Sequence, residues 1–295
     1  MTTRRKFLQS TFIVSASSLV IPTKLYSRVL LGENYTIELG VCTIIDNSDL
    51  VLKSGFNFLE ETVGKFLIPK ESDEAFAVKL EKLHKSKLKL HAVNGFLPGD
   101  MKSVGPDVNI DQILKWGETT FKRMQQSGMQ ILVFGSGGSR RIPDGFDASK
   151  AKQQFIELNQ KLAPIAEKYK VTIVLEPLNY GETNILNTVE EGIWFTNEIN
   201  HPHIRLLADI YHMLKNGEKA DSILKAGDLL KHTHIAEKEK RAAPGVAGDD
   251  FRSYFSALKK IRYKGKLTIE CIWTDMEKEL PIALQTLQKQ WDEAS

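Results

Sequence analysis

The chain is poor in cysteine and lacks any long apolar run. Its 295 residues include two cysteines, Cys42 and Cys271, which excludes a disulfide framework as the main source of stability. The composition is 42% apolar and 26% charged, which excludes a disordered, collagen-like or multi-span membrane chain. No Pro/Gly/Ser-rich linker divides the sequence. The length fits two medium domains or one large α/β domain, and the missing linker favours one domain.

Acidic residues are absent from the start of the chain. The whole sequence has a net charge of +3 and a pI of about 8.6, which alone would suggest a nucleic acid or a membrane surface as partner. However, Met1 to Arg28 contains five basic residues and no acid, and the remainder has 35 basic and 37 acidic residues, a net charge of −2. The basicity therefore belongs to the first segment, and we expect no nucleic-acid partner.

This first segment has the pattern of a targeting signal. Arg4 and Arg5 precede Lys6-Phe7-Leu8 and a short, serine-containing apolar stretch that ends at Pro22, too short to span a bilayer. Paired arginines before Phe-Leu resemble the twin-arginine export signal, which is an address read by a receptor. We predict that residues 1–30 are a removed export signal, that residues 31–295 form the folded domain, and that the protein is periplasmic without a stable membrane anchor. The alternative is a frayed basic N-terminus.

From Tyr35 onward, eight short β-rich runs alternate with longer helical patterns. Most runs have four to eight residues rich in Val, Ile and Leu, as in strands buried on both faces of a parallel sheet. The predicted strands are Thr36–Thr43, Phe56–Glu60, Leu88–Val93, Gln130–Phe134, Thr172–Glu176, Ile204–Asp209, His232–Ile235 and Leu267–Ile272.

The segments between these runs have apolar residues spaced three and four apart. The predicted helices are Asp73–Lys85, Ile110–Ser127, Ala148–Lys170, Val189–Glu198, Asp250–Ile261 and Met276–Trp291. Asp147 and Thr188 are suitable N-caps for two of them. Eight βα units in about 260 residues favour closure into a barrel. The predicted fold class is therefore α/β, a single (β/α)8 TIM barrel.

One glycine-rich run, Gly135–Ser139, follows the fourth predicted strand and precedes Arg140 and Arg141. Glycines after a strand can cradle a phosphate. This run lacks both the dinucleotide-binding spacing and the Lys-Ser/Thr of a P-loop, so we favour a surface loop over the barrel mouth, with both arginines exposed.

Polar residues lie at or near the carboxyl ends of four consecutive predicted strands, where a (β/α)8 barrel builds its active site. They are Glu176, Asp209, His234 and Glu270. Individually, a strand-ending Glu can simply begin a turn, and a lone His is often a core residue. Together, three carboxylates at one barrel end need a counter-charge, which a divalent cation supplies. An oxygen-rich set with one imidazole suits Mn²⁺, Mg²⁺ or Co²⁺, with Zn²⁺ less favoured.

The stretches around Glu176-Pro-Leu-Asn, Asp209-Ile-Tyr-His212, His234 to Gly245 and Glu270-Cys271 resemble the xylose isomerase-like TIM-barrel family. Within it the chain is most similar to the sugar phosphate isomerase/epimerase group that includes the ketose 3-epimerases. The resemblance implies that Glu176, Asp209, His234 and Glu270 bind one divalent metal ion and that both glutamates transfer protons. From the donor set we expect this ion to be Mn²⁺.

The same resemblance implies further contacts with substrate hydroxyls. The residues that match these positions are Glu182, His212 and Arg241. The match at Arg241 requires a one-residue insertion, so Lys240 competes for the assignment. Two residues outside the resemblance are candidates to face the cavity: His91, near the end of the third predicted strand, and Asn94, just after it. Core packing is the alternative for His91. Trp273, beyond strand eight, either stacks on a sugar face or caps the barrel. Strand alternation turns only one of Glu60 and Glu61 inward.

The implied chemistry is proton transfer next to a carbonyl. Removal of that proton creates an enediolate, whose negative charge a metal ion stabilises. Glu176 and Glu270, from non-adjacent strands, would lie on opposite sides of the sugar, so one removes the proton and the other returns it to the opposite face. We predict a metal-dependent sugar isomerase or epimerase with a small-molecule sugar as its partner, and we leave a homo-oligomer open.

Three other functions are alternatives to a sugar isomerase or epimerase. A lyase or hydratase acting on 3-keto-glycosides would use the same metal and base, and the sequence does not separate it from an epimerase. A non-catalytic carbohydrate-binding barrel would not need both Glu176 and Glu270. An apurinic endonuclease would need an Asp-x-His after the strand-seven ligand and a basic DNA-binding face. The sequence has neither of these features.

Overall fold

Eight parallel strands alternate with helices along residues 36–295, the part of the chain that the structure, a computed structural model, describes. The predicted export signal, residues 1–30, lies outside these residues. The strands are β1 (Leu39–Cys42), β2 (Phe58–Thr62), β3 (Leu90–Asn94), β4 (Ile131–Phe134), β5 (Thr172–Leu175), β6 (Ile204–Asp209), β7 (Leu230–Ile235) and β8 (Lys266–Ile269).

The strands pair in chain order, and the sheet closes on itself. Gly40 of β1 lies opposite Phe58 of β2 on one side and opposite Thr268 of β8 on the other, and every strand pair is parallel. Closure leaves no free sheet edge. The predicted fold class, a single (β/α)8 TIM barrel, is confirmed, and all eight strands overlap their predicted ranges.

Helices follow the strands around the barrel. They are α1 (Ser48–Lys53), α2 (Asp73–Lys85), α3 (Ile110–Gln126), α4 (Gly137–Arg140), α5 (Ala148–Lys168), α6 (Val189–Ile199), α7 (Ile210–Asn216), α8 (Asp221–Ala226), α9 (Arg252–Lys260) and α10 (Met276–Glu293). Short 3₁₀ turns span Ile45–Asn47 and Gly227–Leu229, and a π-helical turn spans Val63–Leu67. Asp147 and Thr188 cap α5 and α6 by accepting backbone N–H groups three residues on, as predicted. No helix within residues 36–295 has the length and apolar character that crossing a membrane requires.

The barrel interior has an apolar side and a polar side. Val133, Val174 and Leu207 of β4 to β6 form a small cluster of their own, separate from the larger core in which the outer strand faces pack on the helices. On the other side, Glu60, His232 and Thr268 are fully buried. Because buried polar groups must be paired, this polar side indicates a site built into the barrel.

The glycine-rich run differs from its prediction. Gly137–Arg140 forms the short helix α4, and Arg140 is fully buried. Its guanidinium donates to the backbone oxygens of Phe134 (3.0 Å), Glu176 (2.5 Å) and Leu186 (3.3 Å). The expectation of an exposed arginine is therefore wrong for Arg140, because these backbone oxygens at the end of β4 and after β5 pair with its guanidinium and so permit its burial. Arg141 is exposed, as predicted.

Candidate active site

Four strand-end side chains converge at the carboxyl end of the barrel. Glu176 follows β5, Asp209 ends β6, His234 lies on β7 and Glu270 follows β8. One ligand atom from each lies within 4.8 Å of the others. Glu176, Asp209 and His234 are buried and the Glu270 side chain is 24% exposed. We refer to these residues as the four-ligand group. The structure thus brings together all four residues that the sequence singled out as metal ligands.

His234 lies at the centre of this group. Its Nδ1 is 3.1 Å from Oε1 of Glu176 and 3.1 Å from Oε2 of Glu270. Its Nε2 points the other way, into the barrel, toward the carboxylate of Glu60. Nδ1 is therefore the ring atom that faces the carboxylates of the group.

Asp209 carries a buried oxygen without a hydrogen bond. Its Oδ1 accepts the backbone N–H of Tyr211 (2.9 Å) at the start of α7. No donor within residues 36–295 forms a hydrogen bond with Oδ2, although Nε2 of His212 lies 3.3 Å away and Nη2 of Arg241 lies 3.6 Å away. A buried carboxylate oxygen without a donor is costly, and a cation bound by the four-ligand group would supply the missing partner. The donor set, three carboxylates and one imidazole, fits a divalent cation.

The carboxyl groups do not respond alike to burial. Burial raises the pKa of Glu176 and raises that of Asp209 to about 6, despite the opposing charges of Arg241 and His234. Burial also acts to raise the pKa of Glu270, but the charge and hydrogen bond of His234 and the charge of Arg241 outweigh it and lower this pKa. These carboxylates thus compete for too little positive charge, which again favours a cation.

Arg241 is the cation that faces the group. Its Nη2 donates to Oε2 of Glu270 (2.6 Å), and its guanidinium lies 4.8 Å from the centre of the Tyr211 ring. Lys240 is exposed. Between the two residues that compete for the assignment, Arg241 is the one that the structure places at the site.

Two other predicted substrate contacts lie beside the four-ligand group. His212 is buried; its Nδ1 accepts the backbone N–H of Asn179 (3.2 Å), and its Nε2 is 3.3 Å from Oδ2 of Asp209. Because Nδ1 is an acceptor, the proton of the neutral ring is on Nε2, facing Asp209. Glu182 is exposed and accepts from Nδ2 of Asn179 (2.9 Å). Asn179, which the sequence did not single out, links the two.

Asn94 also reaches the group. It ends β3, is buried, and donates from Nδ2 to Oε1 of Glu270 (2.8 Å). With Arg241 on the other oxygen, both carboxylate oxygens of Glu270 are held. Trp273 is half-buried beyond β8 and packs against the core, as the capping alternative expects.

The expectation that His91 faces the substrate cavity at the carboxyl end is wrong. His91 is the second residue of β3 and contacts the rings of Phe58 (5.3 Å) and His232 (5.8 Å). It lines a cavity of about 840 Å³ whose wall includes the first residues of β4, β5, β7 and β8. That cavity therefore lies at the amino-terminal end of the barrel. Burial lowers the pKa of His91 to about 3, so this ring is neutral.

Gly135 makes room for the side chain of Glu176. A Cβ atom at Gly135 would lie 2.1 Å from Oε2 of Glu176, far inside van der Waals contact. The first glycine of the glycine-rich run thus admits a carboxylate of the four-ligand group, and the anion next to it argues against a phosphate cradle at this position.

One of the two adjacent glutamates of β2 completes the surroundings of the site. Glu60 is the inward-facing glutamate of β2 and contacts both His232 and His234. Glu61 instead accepts the backbone N–H of Ile45 (2.8 Å). The alternation of strand residues could have identified Glu60, had the strand register been known.

Sequence relatives of the chain include sugar epimerases. An L-ribulose 3-epimerase from Methylomonas sp. (strain DH-1) is 31% identical over 222 residues, 74% of each chain. A 3-dehydro-D-guloside 4-epimerase from Escherichia coli (strain K12) is 30% identical over 110 residues, which are 37% of this chain and 42% of the relative.

Solved structures share the fold. A D-allulose 3-epimerase from Methylomonas sp. in complex with D-allulose superposes with a TM-score of 0.72 at 24% identity, covering 86% of this chain and 97% of the other. An apo 3-keto-D-glucoside 4-epimerase from E. coli has a TM-score of 0.73 at 19% identity, covering 86% of this chain and all of the other. Residues 48–290 match the profile of one family. The chain belongs to the xylose isomerase-like TIM barrel family.

Proposed function

We propose that the chain is a metal-dependent sugar epimerase that inverts a hydroxyl-bearing carbon next to a carbonyl. The observation that carries this proposal is the convergence of Glu176, Asp209, His234 and Glu270, with one ligand atom from each within 4.8 Å of the others. The relative with the longest match described above, over 74% of both chains, is an L-ribulose 3-epimerase. Sugar epimerisation is thus the activity that both the site and the relatives support.

The four-ligand group would hold one divalent cation. The ion would supply positive charge that polarises the carbonyl and lowers the energy of the enediolate. We favour Mn²⁺ because three carboxylates and one imidazole form an oxygen-rich donor set. His234 would offer Nδ1, and Asp209 would offer the Oδ2 atom that lacks a hydrogen-bond donor.

The two glutamates of the group would move the proton. Glu176 follows β5 and Glu270 follows β8, so their side chains enter the site from different sides of the barrel. One carboxylate removes the proton from the carbon next to the carbonyl, and the other returns a proton to the opposite face. Asn94 and Arg241 bind the two oxygens of Glu270 and so orient it.

A second substrate class is favoured by one observation. One relative is a 3-dehydro-D-guloside 4-epimerase. In a 2-ketose the proton next to the carbonyl that must move is on C3, and in a 3-keto-glycoside it is on C4, so the same metal and glutamates serve both reactions. Free ketoses and 3-keto-glycosides are therefore the two substrate classes that we propose.

Product identification tests these proposals. We expect the Mn²⁺-loaded protein to convert at least one member of a panel of free ketoses and 3-keto-glycosides into its epimer, detected by NMR. Conversion of ketoses alone would select C3 epimerisation. The appearance of an unsaturated or fragmented product would instead support the lyase alternative, and no conversion by a metal-loaded protein would contradict an epimerase.

We also propose that the protein is exported to the periplasm, on the strength of the Arg4-Arg5 pair ahead of Phe7-Leu8. A receptor that recognises arginines should reject lysines in their place, although the charge is kept. We expect the Arg4→Lys/Arg5→Lys double variant to stay in the cytoplasmic fraction while the unmodified chain appears in the periplasm. Equal distribution of both chains between the fractions would refute the twin-arginine assignment.

A further inference from the structure

Behind the four-ligand group, one buried carboxylate is shared by two histidines. Oε1 of Glu60 lies 3.0 Å from Nε2 of His234, and its Oε2 lies 2.8 Å from Nε2 of His232. All three side chains have no solvent-exposed surface. A charged group at zero exposure needs partners, and here the partners are the two imidazole rings.

The position of Glu60 fixes which nitrogen of His234 carries a proton. An ionised carboxylate can only accept hydrogen bonds, so Nε2 of His234 must donate. A ring that binds a metal ion through one nitrogen keeps its proton on the other, so Nδ1 would be the ligand atom. Nδ1 is the atom that faces Glu176 and Glu270, at 3.1 Å from each. The hydrogen bond to Glu60 therefore turns the lone pair of His234 toward the place where the metal would bind.

His232 holds the same carboxylate from a second direction. Its Nε2 contacts Oε2 of Glu60 and also lies 3.2 Å from Oγ1 of Thr268. The rings of His232 and His234 pack edge to face, with centres 5.1 Å apart. Glu60 is thus prevented from rotating away from His234, because such a rotation would break its hydrogen bond with His232 inside a closed barrel.

We propose that Glu60 is a positioning residue for the metal site: through its hydrogen bond to Nε2, it fixes the tautomer and ring orientation of His234, and His232 holds Glu60 in place. This inference rests on the proposed metal-dependent function. A carboxylate that accepts the second N–H of a ligating histidine generally strengthens metal binding 10- to 100-fold.

A different use of the same residues must be separated from this one. Ligand atoms of Glu60, His232 and His234 also lie within 4.8 Å of one another, so these residues could hold a cation themselves. The positioning role is favoured because the other face of His234 presents three carboxylates, which attract a hard divalent cation more strongly than one carboxylate does.

Titration of substrate-free protein with Mn²⁺ tests the proposal, with free Mn²⁺ measured by electron paramagnetic resonance. We expect Glu60→Gln to weaken Mn²⁺ binding 10- to 100-fold, because Gln keeps the size but loses the charge. The matched control is Glu61→Gln on the same strand, whose carboxylate bonds Ile45 instead and whose Mn²⁺ affinity should stay within about threefold of wild type. If Glu60→Gln does not fold, Glu60→Asp keeps the charge but is too short to reach both histidines, and the same loss is expected.

A second measurement separates positioning from general support of the fold. In ¹⁵N-histidine-labelled protein, the Nε2–H of His234 should give a strongly downfield proton resonance. This resonance should move upfield in the folded Glu60→Gln variant, whose amide oxygen is a weaker acceptor than a carboxylate, and should be unchanged in Glu61→Gln. Unchanged Mn²⁺ affinity in folded Glu60→Gln would overturn the positioning role of Glu60 and leave the proposed function standing. An Asp209→Asn/Glu270→Gln variant that still binds Mn²⁺ through Glu60 would show that Glu60 is a ligand and would also overturn it. A wild-type protein that binds no divalent metal would refute the proposed function as well.

Discussion

Replacement of either Glu176 or Glu270 by glutamine should lower the rate of epimer interconversion about a thousandfold. General acid–base catalysis by a positioned side chain contributes about 10²- to 10⁴-fold, and glutamine cannot accept the proton. The substitution keeps the shape and one oxygen at each position. For Glu270, that oxygen can still accept a hydrogen bond from Asn94 or Arg241. The loss should therefore appear in kcat at saturating sugar rather than only in KM.

Solvent exchange in D₂O distinguishes the roles of the two glutamates. With one glutamate replaced, the other can still remove and return a proton on its own face. Each variant should exchange the proton of one epimer without forming the other, and the two variants should act on opposite epimers. Because both residues are also proposed metal ligands, the comparison requires variants with bound Mn²⁺ confirmed by elemental analysis.

The control for this experiment is Glu239→Gln, an exposed glutamate in the loop after β7. Its rate should equal that of the wild-type protein. If metal-loaded Glu176→Gln and Glu270→Gln both interconverted epimers at rates within tenfold of the wild-type rate, the proposal that these two glutamates transfer protons would be wrong.

Replacement of Arg140 by methionine should destabilise the fold by about 2–5 kcal/mol. The guanidinium is fully buried and is the donor to the backbone oxygens of Phe134, Glu176 and Leu186. A hydrogen bond from a charged donor contributes about 1.5–3 kcal/mol. The loss of these bonds is partly offset because a buried charge is removed and because the oxygens of Phe134 and Leu186 keep the backbone N–H groups of Glu176 and Leu178 as donors. Burial lowers the pKa of Arg140 to about 10, so the group remains charged at neutral pH.

The control for Arg140→Met is Arg141→Met, at the next position in the chain. Arg141 is exposed and makes one hydrogen bond, to the backbone oxygen of Gly181 (3.0 Å), so its loss should cost about 0.5 kcal/mol or less. Urea unfolding monitored by circular dichroism measures the free energy of unfolding of both variants. Equal midpoints for the two variants would mean that Arg140 does not support the β4 and β5 ends.

The strand-end pattern predicted much of this site because of how a parallel barrel is built. All carboxyl ends of the strands meet at one end, so a polar residue that closes an apolar run must lie near the others. The sequence could therefore place Glu176, Asp209, His234 and Glu270 together without knowing any distance. The closed barrel could also be predicted, because eight βα repeats in about 260 residues favour closure.

Some residues were placed wrongly or not assigned because the sequence does not show the register of a strand or the position of a residue along the barrel axis. Glu60 and Glu61 are adjacent, and only the register of β2 decides which one enters the barrel. His91 lies at the amino-terminal end of its strand. A run of apolar residues does not show which of its members lie near the amino-terminal end of the barrel and which near the carboxyl end. Arg140 is charged and follows glycines, features typical of a surface, and only the three carbonyls around it explain its burial.

The most direct test of the account is the transfer of solvent hydrogen to the inverted carbon. Mn²⁺-loaded protein is incubated in D₂O with a sugar from either proposed class, and the product is examined by NMR. The proposed mechanism predicts one deuterium on the carbon next to the carbonyl in each molecule of epimer formed, and loss of the reaction when a chelator removes the metal. Epimer that forms with its original hydrogen at that carbon, or that forms equally fast without metal, would contradict it.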